Sequence, residues 1–304
     1  MLTGEYLVLK GATAFALPVK KGQSIEVKKG RGSDIKWKSF DSNGEVWFSG
    51  ACSLFDLKFE KSTDPIIAER LSDILNHAVQ LNSDFLSQWY GFKINTKLDF
   101  SKDWGLGTSS SLVYCIAKWA DVEPYELYER TFGGSGYDIA CASADGPLLF
   151  TRTEEEIRIN HLDFNPEFKD QLHFVYLGKK QSTADAISHF NDFEAKINSR
   201  VIDDMSQISK ACSDASNLND FSRCLNECEE IIHRELKLER LQHTSFKDFE
   251  GTIKSLGAWG GDFALVASDL PQDVIKAYFL DRGLEHLFSY EELACCPAQT
   301  MEFA

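Results

Sequence analysis

The sequence predicts an α+β protein of two domains, and three observations carry that expectation. At 304 residues and 34.3 kDa the chain exceeds what one hydrophobic core usually serves. Its opening alternates apolar and polar residues with the period of β-strands, whereas from Asp64 onward segments of helical period interleave with short apolar runs. The composition, 43% apolar and 12% aromatic with only seven Pro and no low-complexity tract, supplies enough burial to offset the entropy of folding. A compact soluble protein is therefore expected, and a disulfide-stapled peptide is excluded.

In chain order, Glu5 to Val19 and Gln23 to Lys28 read as β segments, and Ile35 to Trp37 pairs with Val46 to Ser49 across Asn43-Gly44, a dipeptide suited to a tight hairpin. Pro65 fits a first helical position, and Ile67, Leu71, Ile74, Leu75 and Ala78 mark one helical face. Gly91 to Phe100 alternates again and delivers the chain to Gly105-Leu106-Gly107-Thr108-Ser109-Ser110-Ser111. Beyond it, Leu112, Cys115, Ile116 and Trp119 start a helix at or within that loop. Glu123 to Arg130 predicts a short helix ended near Gly133-Gly134, and Leu148 to Arg152 a strand. The acidic Glu154-Glu155-Glu156 and the polar segment after it are the best boundary, dividing the chain into 1–155 and 156–304.

Past the boundary, Leu172 to Leu177 predicts a strand, followed by Gly178-Lys179-Lys180-Gln181-Ser182-Thr183 and helical patterns to about residue 240. Phe221, Leu225, Cys228, Ile232 and Leu236 form one apolar stripe. Gly257-Ala258-Trp259-Gly260-Gly261 then precedes the buried strand Phe263 to Ala267, and Pro271 to Leu280 predicts its following helix. Chain-wide repeats are absent, which sets solenoids and propellers aside.

A formal charge of -15 argues against nucleic-acid or anionic-membrane partners, whose phosphates would repel the chain at long range. The basic stretch from Lys20 to Lys38 reads as a solvated hairpin in preference to a ligand surface. The eight cysteines form no C-x-x-C pair and have no His at finger spacing, so reduced, mostly buried thiols are expected and structural zinc is not. No basic leader precedes an apolar core at the start, and no apolar run has the length of a membrane span, which makes the cytoplasm the expected compartment.

Three segments can carry chemistry. Gly105 to Ser111 joins a strand to a helix: glycines let backbone N–H groups crowd around a phosphate, the helix directs its positive dipole end there, and hydroxyls can donate to phosphate or ligate Mg2+. The same residues also suit an ordinary N-capped helix, and no Gly-Lys-Ser/Thr makes them a Walker A loop. In Gly133-Gly134-Ser135-Gly136-Tyr137-Asp138-Ile139-Ala140, Asp138 could accept a proton from a substrate hydroxyl or simply cap a helix. Gly257 to Asp262 sets glycines against a buried strand, as a third site element or a tight turn.

The order and joint occurrence of GEYLVLKGATAFALP, GLGTSSS, GGSGYDIA and GAWGGDFAL resemble the GHMP kinases, the family of galactokinase, homoserine kinase, mevalonate kinase and phosphomevalonate kinase, over nearly the whole chain. The resemblance implies a two-domain GHMP kinase fold, with an N-terminal domain like ribosomal protein S5 domain 2 in 1–155, a ferredoxin-like C-terminal domain in 156–304, and ATP between them. It also implies that Gly105, Leu106, Gly107, Thr108, Ser109 and Ser110 cradle the ATP phosphates, with Trp104 beside them. Ser109 matches the serine that ligates Mg2+. Glu129, in Glu-Arg-Thr-Phe, resembles a second Mg2+ ligand, although an exposed helix glutamate reads equally well there. Asp138 matches the catalytic aspartate. Gly4, Glu5, Ser135, Gly136, Gly260 and Gly261 would line the acceptor site.

Within the family, Gly-Ser-Gly-Tyr-Asp and Gly-Gly-Asp resemble the phosphomevalonate kinases, which makes a small anionic metabolite, phosphomevalonate or mevalonate, the expected acceptor. A basic Lys179-Lys180 would suit a phosphorylated substrate, although ordinary surface lysines are the preferred reading of the pair. The chain departs from the family pattern in carrying Ser101-Lys102-Asp103-Trp104 ahead of the loop, bulky Trp104 and Trp259 at usually small positions, and no Gly-Lys strand before Met1-Leu2-Thr3-Gly4-Glu5. Other readings are a non-catalytic nucleotide- or metabolite-binding homologue and a sugar or homoserine kinase. A monomer or homodimer is expected.

Overall fold

The computed structural model describes residues 1–179, 183–257, 259, 261–294 and 301–303. They pack as two compact units, each discontinuous in sequence: Met1–Lys20, Asp103–Gly105 and Ala144–Cys296 form the first, and Lys21–Lys102, Leu106–Ser143 and Pro297–Ala304 the second, over their described residues.

The first unit opens with a single 3-10 turn, Leu7–Lys10, and strand β1 (Ala14–Ala16). Only these three residues of the segment expected to be β are a strand. The cause lies in Glu5-Tyr6-Leu7: Tyr6 has φ 61° and ψ -50°, and the Leu7 N–H donates to the Glu5 carbonyl at 2.6 Å, which together make a classical γ-turn, a rare and strained geometry.

The second unit contributes β2 (Gln23–Lys29), β3 (Asp34–Phe40), β4 (Val46–Ser53), β5 (Phe59–Ser62), α1 (Pro65–Leu81), β6 (Phe92–Leu98), α2 (Thr108–Ala120), α3 (Pro124–Thr131) and α4 (Tyr137–Ser143). The expected hairpin is present: the Asp41 carboxylate accepts from the Asn43 and Glu45 N–H groups, and Gly44 adopts φ 82°. Along β3, Ile35, Trp37 and Ser39 are buried while Lys36 and Lys38 face solvent, so the basic stretch is the solvated face of a sheet. Asp64 caps α1 by accepting from the Ile66 and Ile67 N–H groups, and Leu71, Ile74, Leu75 and Ala78 turn inward as the period required. They meet Ile25, Trp37 and Ile94 from the sheet and Cys115 and Ile116 from α2 in one core.

Returning to the first unit, β7 (Leu148–Arg152) and β8 (Ile157–His161) are joined through Glu154-Glu155-Glu156. The acidic segment is thus a hairpin turn, and β1 pairs with β7 (Ala14 opposite Phe150), so residues on both sides of 155/156 belong to one unit. Then follow β9 (Leu172–Tyr176), α5 (Thr183–Asn191), α6 (Ser199–Ser213), α7 (Leu218–Leu236), α8 (Leu241–Thr244), β10 (Thr252–Leu256), β11 (Phe263–Ala267), α9 (Gln272–Leu280), β12 (Leu287–Ser289) and α10 (Tyr290–Leu293). The sheet order is β10-β11-β9-β12, and β11 is buried throughout, as its unbroken apolar run predicts. The apolar stripe of α7 is fully buried. A last strand, β13 (Met301–Phe303), lies beside β2 at the edge of the second unit's six-stranded sheet, order β13-β2-β6-β3-β4-β5.

Candidate active site

In the second unit, strand β6 feeds the glycine loop and α2 begins immediately after Gly107. Gly107 occupies the N-cap in the left-handed region, φ 79°, where a side chain is disfavoured. Its carbonyl accepts the Ser111 N–H at 3.0 Å, and the first-turn N–H groups of Thr108, Ser109 and Ser110 precede the helical ladder. The hydroxyls divide by role. Those of Ser110 and Ser111 turn back onto the Gly107 carbonyl at 3.0 and 2.9 Å, and Ser111 also reaches Gln23 at 3.0 Å. Ser109 is exposed on the first turn, so its oxygen faces outward beside the helix's positive end.

Asp138 stands in the first turn of α4, and α4 packs against α2. Gly136, at φ 81°, starts this turn, its carbonyl accepting the Ile139 and Ala140 N–H groups. Ser135 is buried and its hydroxyl accepts from the Tyr137 N–H at 3.5 Å. Burial pushes the Asp138 carboxyl above its ordinary range, opposed in part by the Tyr137 phenol, which donates to it. Burial also holds Tyr137 well above the usual phenol value, so it stays a donor. Glu129 is exposed on α3, a helix that packs on both α2 and α4. The structure thus gathers Gly107 to Ser110, Asp138, Ser135, Gly136 and Glu129 on three mutually packed helices, with Leu106 half-buried on the loop leading to them.

The remaining candidates belong to the first unit. Gly4, at φ 95°, is a packing position: an added Cβ would stand 2.6 Å from the Ala14 Cα. Glu5 is buried, with one carboxylate oxygen paired to the Lys254 ammonium and the other accepting from the Cys228 thiol at 3.6 Å, so its charge is engaged inside the protein. Lys254 is buried as well; burial works against its charge, but the Glu5 carboxylate together with Cys228 and Glu229 outweighs this and holds the ammonium above its usual range. Glu229 extends the cluster, accepting from the Ser255 N–H at 2.8 Å and from Arg240 at 3.3 Å. The sequence offers no sign of the Glu5 pairing, because Lys254, Glu229 and Arg240 lie more than two hundred positions from it and Cys228 reads there only as a member of an apolar stripe.

Trp104 packs among Tyr176, Phe263, His286 and Phe288, and Gly105 lies against the Asp262 carboxylate. Gly261 is buried just ahead of β11; Gly260 and Lys180 lie outside the described residues. The Trp259 N–H donates to the Tyr6 phenol at 3.2 Å, and its indole N–H to the Glu239 carbonyl at 2.7 Å.

Among the described residues, no group of three or more His, Cys, Asp or Glu is placed to hold a metal, and no helix is long and apolar enough to cross a membrane. A hard cation needs no such cage when phosphate oxygens complete its shell, and the outward Ser109 hydroxyl is a suitable oxygen donor for one.

No protein-family model and no curated protein sequence matches the chain. Solved structures do. The chain is similar to the mevalonate kinase of Methanococcus jannaschii at 17% identity and TM-score 0.68, with 97% of this chain and 95% of that one covered. The phosphomevalonate kinase of Streptococcus pneumoniae, solved with phosphomevalonate and AMPPNP, matches at 16% identity and TM-score 0.67, over 95% and 96% of the two chains. The galactokinase of Lactococcus lactis, solved with galactose, matches at 12% and 0.63, over 99% and 92%. At these identities the likeness is one of fold, and it runs the length of both chains.

Proposed function

We propose that this chain, whose fold is that of the GHMP kinases, transfers the γ-phosphoryl group of ATP to a small anionic metabolite, with phosphomevalonate or mevalonate the first acceptors to test. The observation that carries the reading is the packing of α2 on α4, which brings a glycine-capped helix start and the half-buried Asp138 carboxylate together in one unit. Phosphoryl transfer asks a protein for positioning and charge neutralisation more than for covalent chemistry, and these two elements supply both.

In this reading the N–H groups of Thr108, Ser109 and Ser110 and the dipole of α2 hold nucleotide phosphates. Asp138 orients the acceptor oxygen and takes its proton, and its raised pKa makes it a better base at neutral pH than an ordinary carboxylate. Tyr137 donates to Asp138 and fixes the carboxylate's direction. Ser109 would hold Mg2+, with Glu129 a second donor on α3; that ion, when bound, neutralises charge developing on the phosphates. The acceptor is inferred from the family resemblance of Gly-Ser-Gly-Tyr-Asp and Gly-Gly-Asp, supported by a phosphomevalonate kinase among the similar structures.

The test is ATP consumption by the purified chain with Mg2+ against phosphomevalonate, mevalonate, homoserine and several sugars, run beside Asp138→Asn. Turnover with one acceptor that vanishes in the variant supports the reading and names the substrate. Nucleotide binding without turnover on any acceptor replaces it with a non-catalytic binding role.

A further inference from the structure

We propose that Asp262 is a positioning residue for the glycine loop, its carboxylate forming the seat on which Gly105 rests; this deepens the kinase reading and depends on it. Gly105 lies so close that a Cβ added there would stand 2.4 Å from the Asp262 carboxyl carbon and Oδ1, and 2.6 Å from Oδ2. Gly105 also has φ 66°, in the left-handed region. Glycine is required twice over at this position, by backbone conformation and by the carboxylate.

Asp262 is itself held firmly. It has φ 48°, uncommon for a residue with a side chain, and such a conformation persists only where its surroundings impose it. They do: its N–H donates to the Lys179 carbonyl at 2.6 Å, and its own carbonyl accepts the Leu177 N–H at 2.8 Å. The next residue, Phe263, enters β11 opposite Tyr176 of β9. The carboxylate is therefore aimed by the central strands of a buried sheet and not by a free loop.

Two further contacts fasten the same stretch. The Tyr176 phenol donates to the Asp103 carbonyl at 3.0 Å, and Trp104 packs edge-on against Phe288 and Phe263, ring centroids 5.2 and 6.2 Å away. Asp103, Trp104 and Gly105 are thus each tied to one sheet, immediately before the chain crosses into the second unit at Leu106. A loop fixed at its first glycine has less freedom to lose when phosphate binds, so the seat raises nucleotide affinity without touching the ligand.

Shape and charge separate by substitution, with Kd for Mg2+-ATP read by titration calorimetry, KM and kcat by turnover, and folding by circular dichroism. Asp262→Ala empties the seat and should weaken ATP about tenfold, raising KM for ATP and leaving KM for the acceptor unchanged. Asp262→Asn keeps the shape and should rescue binding to within about threefold of the parent. Gly105→Ala should lose binding, and the double variant Gly105→Ala/Asp262→Ala should recover part of it, since the obstructing carboxylate is gone. Should Gly105→Ala not fold, the alanine and asparagine variants at 262 decide alone. Asp262→Ala binding ATP as tightly as the parent overturns the proposal, even if its melting temperature falls, because the residue is then merely structural. No recovery in a folded double variant overturns it too. A parent chain that binds no adenine nucleotide removes the kinase reading and this inference with it, whereas a binding parent with an indifferent Asp262→Ala removes the inference alone.

Discussion

The Lys254 ammonium and the Glu5 carboxylate form an ion pair whose members are 0% and 4% exposed in their side chains, so neither charge is shared with bulk water. A buried pair contributes little relative to apolar residues of the same size, but removing one member strands the other. Lys254→Met should therefore cost about 3–5 kcal/mol in a urea melt, and Glu5→Gln/Lys254→Met together should cost less than Lys254→Met alone. Because the folded-state pKa of Lys254 is raised, its contribution persists at neutral pH and is lost only as pH climbs into the strongly alkaline range. An unchanged melt for Lys254→Met would show that water reaches the pair.

Asp138→Asn should lower turnover by at least about 100-fold while leaving ATP affinity near the parent value. The same change should stabilise the fold. A carboxyl whose folded-state pKa is raised favours folding most below its unfolded value, about 3.9 for Asp, and loses that advantage as pH rises through the folded value. Asparagine cannot ionise. The melting-temperature gain of the variant over the parent should consequently grow from about pH 4 upward and level off once Asp138 is ionised. A gain independent of pH would refute the assignment of burial as the cause.

Ser109→Ala should leave stability within about 0.5 kcal/mol, since the hydroxyl is exposed, yet raise the Mg2+ concentration needed for half-maximal rate. Gly107→Ala acts differently: at φ 79° it should cost about 1 kcal/mol and weaken ATP, because the first-turn N–H groups are displaced with it. Paired melts and ATP titrations separate the two effects.

Burial raises the Cys52 and Cys115 thiols to about 12 and Cys228 further still. Thiolates are the reactive species, so at pH 8 a native-state disulfide exchange reagent should leave these three unmodified and reach Cys141, which is partly exposed, first among the described thiols. Mass spectrometry of the labelled chain tests the order; rapid labelling of Cys228 without unfolding would contradict it.

Elements whose cause is local could be read from the sequence. Asp64, Pro65 and the stripe through Ala78 specify α1, and the alternation of β3 specifies its solvated face. Gly107 and Gly136 stand at the left-handed starts of α2 and α4, where their motifs suggested special backbone. What could not be read depends on distance. The apolar Glu5 to Val19 segment suggests a β segment because nothing nearby reveals that Glu5 answers a lysine 249 positions away. Glu154 to Glu156 reads as a domain boundary because a polar hairpin turn and a boundary share a composition, and only the pairing of β7 with β8 and β1 separates them. The burial of Glu5, the phenol on Asp138 and the carboxylate under Gly105 likewise come from side chains brought together by the fold.

The placement of Met1–Lys20 with residues from the far end of the chain sets an order for biosynthesis. Emerging from the ribosome ahead of the residues from Lys21 onward, this segment meets none of its partners: Ser206 and Ser209, which bond Thr13 and Thr3, follow some two hundred residues later, and Lys254 later still. The compact unit built from Lys21 onward has nearly all of its strands and helices by Ser143 and can collapse while translation continues. The leading twenty residues must wait, exposing Leu7 and Phe15 that will end fully buried, until elongation is almost finished. A nascent chain arrested before β10 should therefore protect the later-encoded unit from protease while Met1–Lys20 is still cut, an inversion of the usual vectorial sequence in which residues made earlier fold before those made later.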